Sequence, residues 1–170
     1  MHDDWIQKFL AKLAERGWLV GGVPSDADAL HPTDVPRYSS FMPAELFNML
    51  ARSDSLMRQD QGAWFWSPSD YLGRSNKAHL WTQVEVDCIE GARGDENWQA
   101  EIRNFWDEHF PIGLQVSPRC MFIAIRRDGV VVVGVEPEYE ETTEVADSFR
   151  AFAEDVVADS TTDEVVEFIG

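Results

Sequence analysis

A chain of 170 residues, 44% hydrophobic and 12% aromatic, can bury one core without disulfide or metal staples, which excludes a disordered acidic tail and makes residues 1–170 a single domain. Its 31 Asp and Glu against 14 Lys and Arg give a formal net charge of -17. That balance excludes a nucleic-acid backbone as partner, since phosphate binding needs clustered basic side chains; it permits a basic protein partner, or serves solubility alone.

No run has the length of a membrane span, and the opening Met1-His-Asp-Asp is acidic where a secretory signal is basic. Cys88 and Cys120 form neither a disulfide framework nor a metal-type pair. A reducing cytoplasm and no membrane association are expected.

Asp3 or Asp4 is placed to cap a first helix in which Trp5, Ile6, Phe9, Leu10 and Leu13 recur at helical spacing and which Gly17 ends. From Val20 to Tyr38 Gly, Pro, Asp and Ser dominate without a period, so a long connection is expected. Pro43 opens a second helix over Ala44 to Arg52, with Leu46, Phe47, Met49 and Leu50 apolar. Ala63 to Trp66 is short, aromatic and bounded by turn residues, as a strand is; Ser67 and Pro68 then supply the cap and first position of another helix. Leu80, Trp81, Val84 and Cys88 fit a helix, whereas Val84, Val86 and Cys88 alternate as in a strand. The helical reading is taken. After Asp95, the residues Trp98, Ile102, Phe105 and Trp106 share one face of a helix that Pro111 is expected to end.

Cys120 to Glu136 comprises two β-rich runs joined by Asp128-Gly129, a pair suited to the positive φ angles of a two-residue hairpin loop, and Pro137 stops the second run. Glu138, Glu140, Glu141 and Glu144 lead into a predicted helix from Val145 to Val157, with Val145, Phe149, Phe152, Ala153 and Val156 on one face. The last of these glutamates would favour the positive end of that helix. This order predicts an α+β fold: a mostly antiparallel sheet with helices packed on one face.

Chemistry-bearing motifs are scarce. There is no glycine-rich phosphate loop, nucleophile elbow or paired zinc-site cysteine motif. Asp107, Glu108 and His109 are adjacent, so they point in different directions around a helix and read as a solvated helix end. His2, His31, His79 and His109 are widely spaced, and Arg93-Gly94-Asp95 reads as a surface turn. Trp64, Phe65 and Trp66 have the residue types of a stacking platform, but a short aromatic strand is the ordinary composition of a core. No catalytic residue, cofactor or metal is assigned. Glu136, Glu138, Glu140 and Glu141 remain as candidates for an acidic surface that speeds capture of a basic protein, and Asp159, Asp163, Glu164 and Glu167 add to the charge of the last third.

The order Phe110-Pro-Ile-Gly113, then the hairpin around Asp128-Gly129, then Val145-Ala-Asp-Ser-Phe-Arg-Ala-Phe152, resembles the SUKH superfamily, the group related to the yeast cell-wall-assembly regulator. The helix Met42 to Leu50 and the segment Trp64 to Tyr71 also occupy matching places, so the resemblance spans about residues 40–157; residues 1–39, a helix and a connection, fall outside it. The stretch from Leu80 to Asn104 is longer and more helical than in that family. What the resemblance implies is an α+β domain without catalysis of its own. In bacteria this would be an immunity protein that binds and neutralises a toxin, often a nuclease or deaminase. As in the eukaryotic relatives, the alternative is an intracellular scaffold or regulatory module. No binding residue can be carried over, because the family has no fixed toxin-binding motif.

Overall fold

The computed structural model describes residues 4–170. Strands β1 (Trp18–Val20), β2 (Leu56–Arg58), β3 (Ala63–Phe65), β4 (His109–Gln115), β5 (Met121–Arg126), β6 (Val131–Val135) and β7 (Thr143–Ala146) lie side by side in chain order, each antiparallel to the one before. Helices α1 (Trp5–Glu15), α2 (Ala44–Leu50), α3 (Pro68–Tyr71), α4 (Gln83–Gly91), α5 (Glu96–Asp107), α6 (Phe149–Ala158) and α7 (Asp163–Ile169) complete an α+β domain. The predicted antiparallel α+β class is therefore the observed one.

Register sorts the core into two layers. Phe65 pairs with Gly113, Gly113 with Ile123 and Ile123 with Val133, so these residues share one face. On it the Phe65 ring meets Phe9 of α1, Trp18 of β1, Phe152 of α6 and Phe168 of α7 at centroid distances from 5.3 to 6.3 Å. Each such buried ring contributes about 2–3 kcal/mol through the apolar area it removes from water. Gly113 has no side chain for a reason: a Cβ there would stand 2.9 Å from the tip of Phe168. Helices α1, α6 and α7 thus cover one face, whereas the expectation of helices on one face alone is corrected by α5. Trp64, Leu114, Phe122 and Gly134 share the other face, where α5 adds a layer by setting Trp106 at 4.8 Å from Phe122.

Local chemistry explains the helix starts. The Asp4 carboxylate accepts from the Gln7 N–H at 3.1 Å and caps α1, which buries Ile6, Phe9, Leu10 and Leu13. The alternative cap Asp3, like His2, lies outside the described residues. Ser67 and Asp70 form a reciprocal capping box around α3, with Pro68 at its first position. The ambiguous segment is helical in α4, and it starts at Gln83 rather than Leu80.

Four further expectations are corrected. The first correction concerns α5, which ends at Asp107, four residues before Pro111; the proline lies inside central strand β4, where the register shifts between Pro111 and Gly113. A residue without an N–H fits a bulge, and its carbonyl accepts from the Tyr71 hydroxyl at 2.8 Å. The hairpin loop is longer than two residues: Arg126 donates its N–H to the Val130 carbonyl, leaving Arg127, Asp128 and Gly129 as the loop, and of these only Gly129 has a positive φ, 92°. Val145 belongs to strand β7, not to a helix, and α6 begins at Phe149 behind the Ser148 cap. Glu144 accordingly pairs with Arg126 across the sheet at 2.8 Å instead of facing a helix end. Separately, Trp18–Val20 is a strand, β1, that the expected elements did not include, while the long connection that follows it is present and holds only the single 3-10 turns Asp26–Asp28 and Pro32–Asp34.

Candidate partner-binding surface

The four candidate glutamates come together on the turn between β6 and β7. Glu136 anchors its start: its N–H donates to the Cys120 carbonyl and its carboxylate accepts from the Cys120 N–H, both at 3.1 Å. The Glu141 N–H closes the turn on the Glu138 carbonyl at 3.0 Å. Tyr139 points inward, its ring 6.1 Å from Phe122, and its carbonyl lies where a side chain on Gly134 would otherwise be. With Tyr139 held inward, Glu136, Glu138, Glu140 and Glu141 are left exposed.

The turn abuts α4. Burial first, and then the charge of Glu140, push the Cys88 thiol up to about 12; Asp87 adds to that effect. Burial also raises the Cys120 thiol, against a smaller opposing effect of its hydrogen bond with Tyr139. The two cysteines, Cys88 in α4 and Cys120 against Glu136 of the turn, are both half-buried and free and therefore act as weakly acidic packing groups.

Helix α4 has no fully buried residue and rests on α5. Val86, Ile89, Glu90, Arg93 and Gln99 line a shallow cleft of about 310 Å³ between the two helices. Trp98 stands near it in sequence with 49% of its surface exposed, although helical spacing had placed it on the buried face with Ile102 and Trp106. Spacing alone could not find this cleft. The alternation at Val84, Val86 and Cys88 was the only sign that α4 spreads its apolar residues around its circumference.

Other candidates separate in space. Asp107 pairs with Arg37 at 2.8 Å and Glu108 with Arg127 at 2.6 Å. His109 is not part of a solvated helix end: it is buried at the start of β4, its ring stacked 3.9 Å from Phe105, with Nδ1 2.7 Å from the Phe105 carbonyl oxygen. Burial lowers its pKa. Trp64, Phe65 and Trp66 are core residues, and Asp95 of the Arg93-Gly94-Asp95 turn caps α5. Of the C-terminal acids, Asp159 is held by Lys12 and Arg16, and Glu167 by Arg119.

Among the described residues no three His, Cys, Asp or Glu side chains are grouped to hold a metal ion, and no helix is long and apolar enough to cross a membrane. No protein-family model, curated protein or solved structure matches the chain.

Proposed function

We propose that this chain is a non-catalytic protein-binding domain of the immunity type, which captures a basic toxin and occludes it. One observation carries the reading: Glu136, Glu138, Glu140 and Glu141 are exposed on a single turn that Tyr139 and Glu136 pin to the sheet, beside Asp87 of α4. Charge fixed on a rigid element attracts an oppositely charged protein without first having to be ordered, and this favours fast association. The SUKH-like order of elements supports the same reading.

Reversing Glu136, Glu138, Glu140 and Glu141 together to Lys tests it. The binder is the product of the neighbouring upstream reading frame, and association is followed at several salt concentrations. The association rate should fall by about tenfold or more at low salt, and its salt dependence should flatten. Unchanged kinetics would remove the turn from the interface. Failure of the wild-type chain to rescue cells expressing a toxic neighbour would remove the immunity reading.

A further inference from the structure

We infer that the cleft between α4 and α5 is the docking groove for a lysine- or arginine-rich amphipathic helix of the partner protein, with Val86, Ile89 and Trp98 as its apolar contact and the surrounding carboxylates as its rim. The inference rests on the reading above that the partner is a basic protein. It goes further by naming the structural class of the segment that is bound and a surface that the candidate glutamates do not include.

Both apolarity and charge point there. Val86 is 46% exposed and Trp98 49%, on helices whose buried residues are confined to Ile102 and Trp106 of α5. Trp98 precedes the lining residue Gln99 in sequence, and a half-exposed tryptophan is the type of residue that dominates interface energies once a partner desolvates it. A groove between two helices accepts the apolar stripe of a third. Glu90, Asp87, Glu96 and Glu101 are exposed on the same two helices. Of the carboxylates on this pair, Glu85 and Asp107 are taken up by Arg37, and Glu90 by Arg93. Asp87, Glu96 and Glu101 then outnumber the one further basic side chain of the two helices, Arg103, so the remaining charge is negative.

That sign selects the occupant. A second copy of the chain would bring the same carboxylates against themselves, and a nucleic acid or an anionic lipid surface would be repelled. A basic helix with aliphatic side chains at every third or fourth position meets both requirements. The acidic turn lies against another side of α4, through Glu140 and Cys88, so it adds negative charge near the groove without lining it.

The test uses the full chain and two synthetic peptides of equal length and Lys content, one with Leu and the other with Ser at the apolar helical positions. Backbone amide shifts and anisotropy are recorded at about 0.15 M salt, where exposed charges alone act over only about 8 Å. The Leu peptide should bind, with shifts concentrated at Val86, Ile89 and Trp98, and the Ser peptide should bind about tenfold more weakly or not at all. Trp98→Ala and Val86→Ser change exposed side chains, and each should weaken the Leu peptide by about tenfold with circular dichroism unchanged. No binding of the Leu peptide, or shifts spread over all acidic surfaces and unaffected by either substitution, overturns the groove. Capture in the groove by a chain that gives no rescue upholds the groove and removes the immunity reading. Rescue by a chain whose groove fails the peptide test does the reverse.

Discussion

The ammonium of Lys77 lies 2.5 Å from the Asp70 carboxylate, whose side chain is 2% exposed, and 5.6 Å from the centre of the Trp66 ring. The same carboxylate oxygen accepts from the Ser67 N–H and hydroxyl, so this pair ties the loop after α3 to the capping box that starts it. Lys77→Met leaves a buried carboxylate without its cation. The expected loss is about 3 kcal/mol, at the low end for a broken buried pair because Lys77 itself is partly open to water. Urea unfolding measures it, and adding Asp70→Asn, which preserves an acceptor for Ser67, should recover part of the loss.

Gly134→Ala tests how the acidic turn is seated. An added Cβ would overlap the Phe122 ring and stand 2.5 Å from the Tyr139 carbonyl oxygen. Backbone on one side leaves no room to adjust, so a loss of about 2–3 kcal/mol is expected. Amide exchange in the turn should quicken more than in α1.

The pH dependence of stability has a component from His109. Its folded pKa is lowered by burial, so the unfolded chain takes up the proton first. Stability from this group is intact at neutral pH and falls as pH drops through the ordinary histidine value of 6.5, until the folded pKa is reached. His109→Phe should flatten the slope of unfolding free energy between about pH 7 and 5.5. The loss from Asp128, Asp159 and Glu167, whose pKa values are lowered mainly by their basic partners, comes at lower pH and should survive that substitution.

The Cys88 thiol, pushed up to about 12, should react with a disulfide reagent more slowly in the native chain than after unfolding at the same mildly alkaline pH, by about tenfold or more, since the lower thiolate fraction is partly offset by the greater nucleophilicity of a more basic thiolate. Glu140→Gln should speed the native reaction by removing the second-largest cause of the shift. An unchanged rate would mean that the turn does not rest on α4 in solution.

The legibility of this fold followed the strength of local signals. Asp4, Ser67 with Pro68, and the apolar stripe of α1 are decided within a few residues, and the sequence reading found them. Strand β7 was not legible, because Thr143–Ala146 becomes a strand by pairing with Val131 to Val133 rather than by any alternation of its own. Pro111 misled for the same reason: a breaker in a helix is tolerated in a central strand when the ladder carries a bulge there. At the candidate site the glutamates could be read from sequence, but their rigid seating could not. It depends on Tyr139 meeting Phe122, and Glu140 meeting Cys88, across separations that no spacing rule spans.

Strands β4 to β7 follow one another through short loops and can zip up locally, whereas residues 66–108 intervene between β3 and β4, and helix α1 meets α6, and Trp18 donates to the Ile169 carbonyl at 3.0 Å, only after nearly the whole chain has been made. The aromatic ring of the α1-facing layer is thus the last part to close. Until Phe9 and Phe168 arrive, Phe65 is an open apolar surface, and the interval before closure is when the nascent protein is most exposed to aggregation.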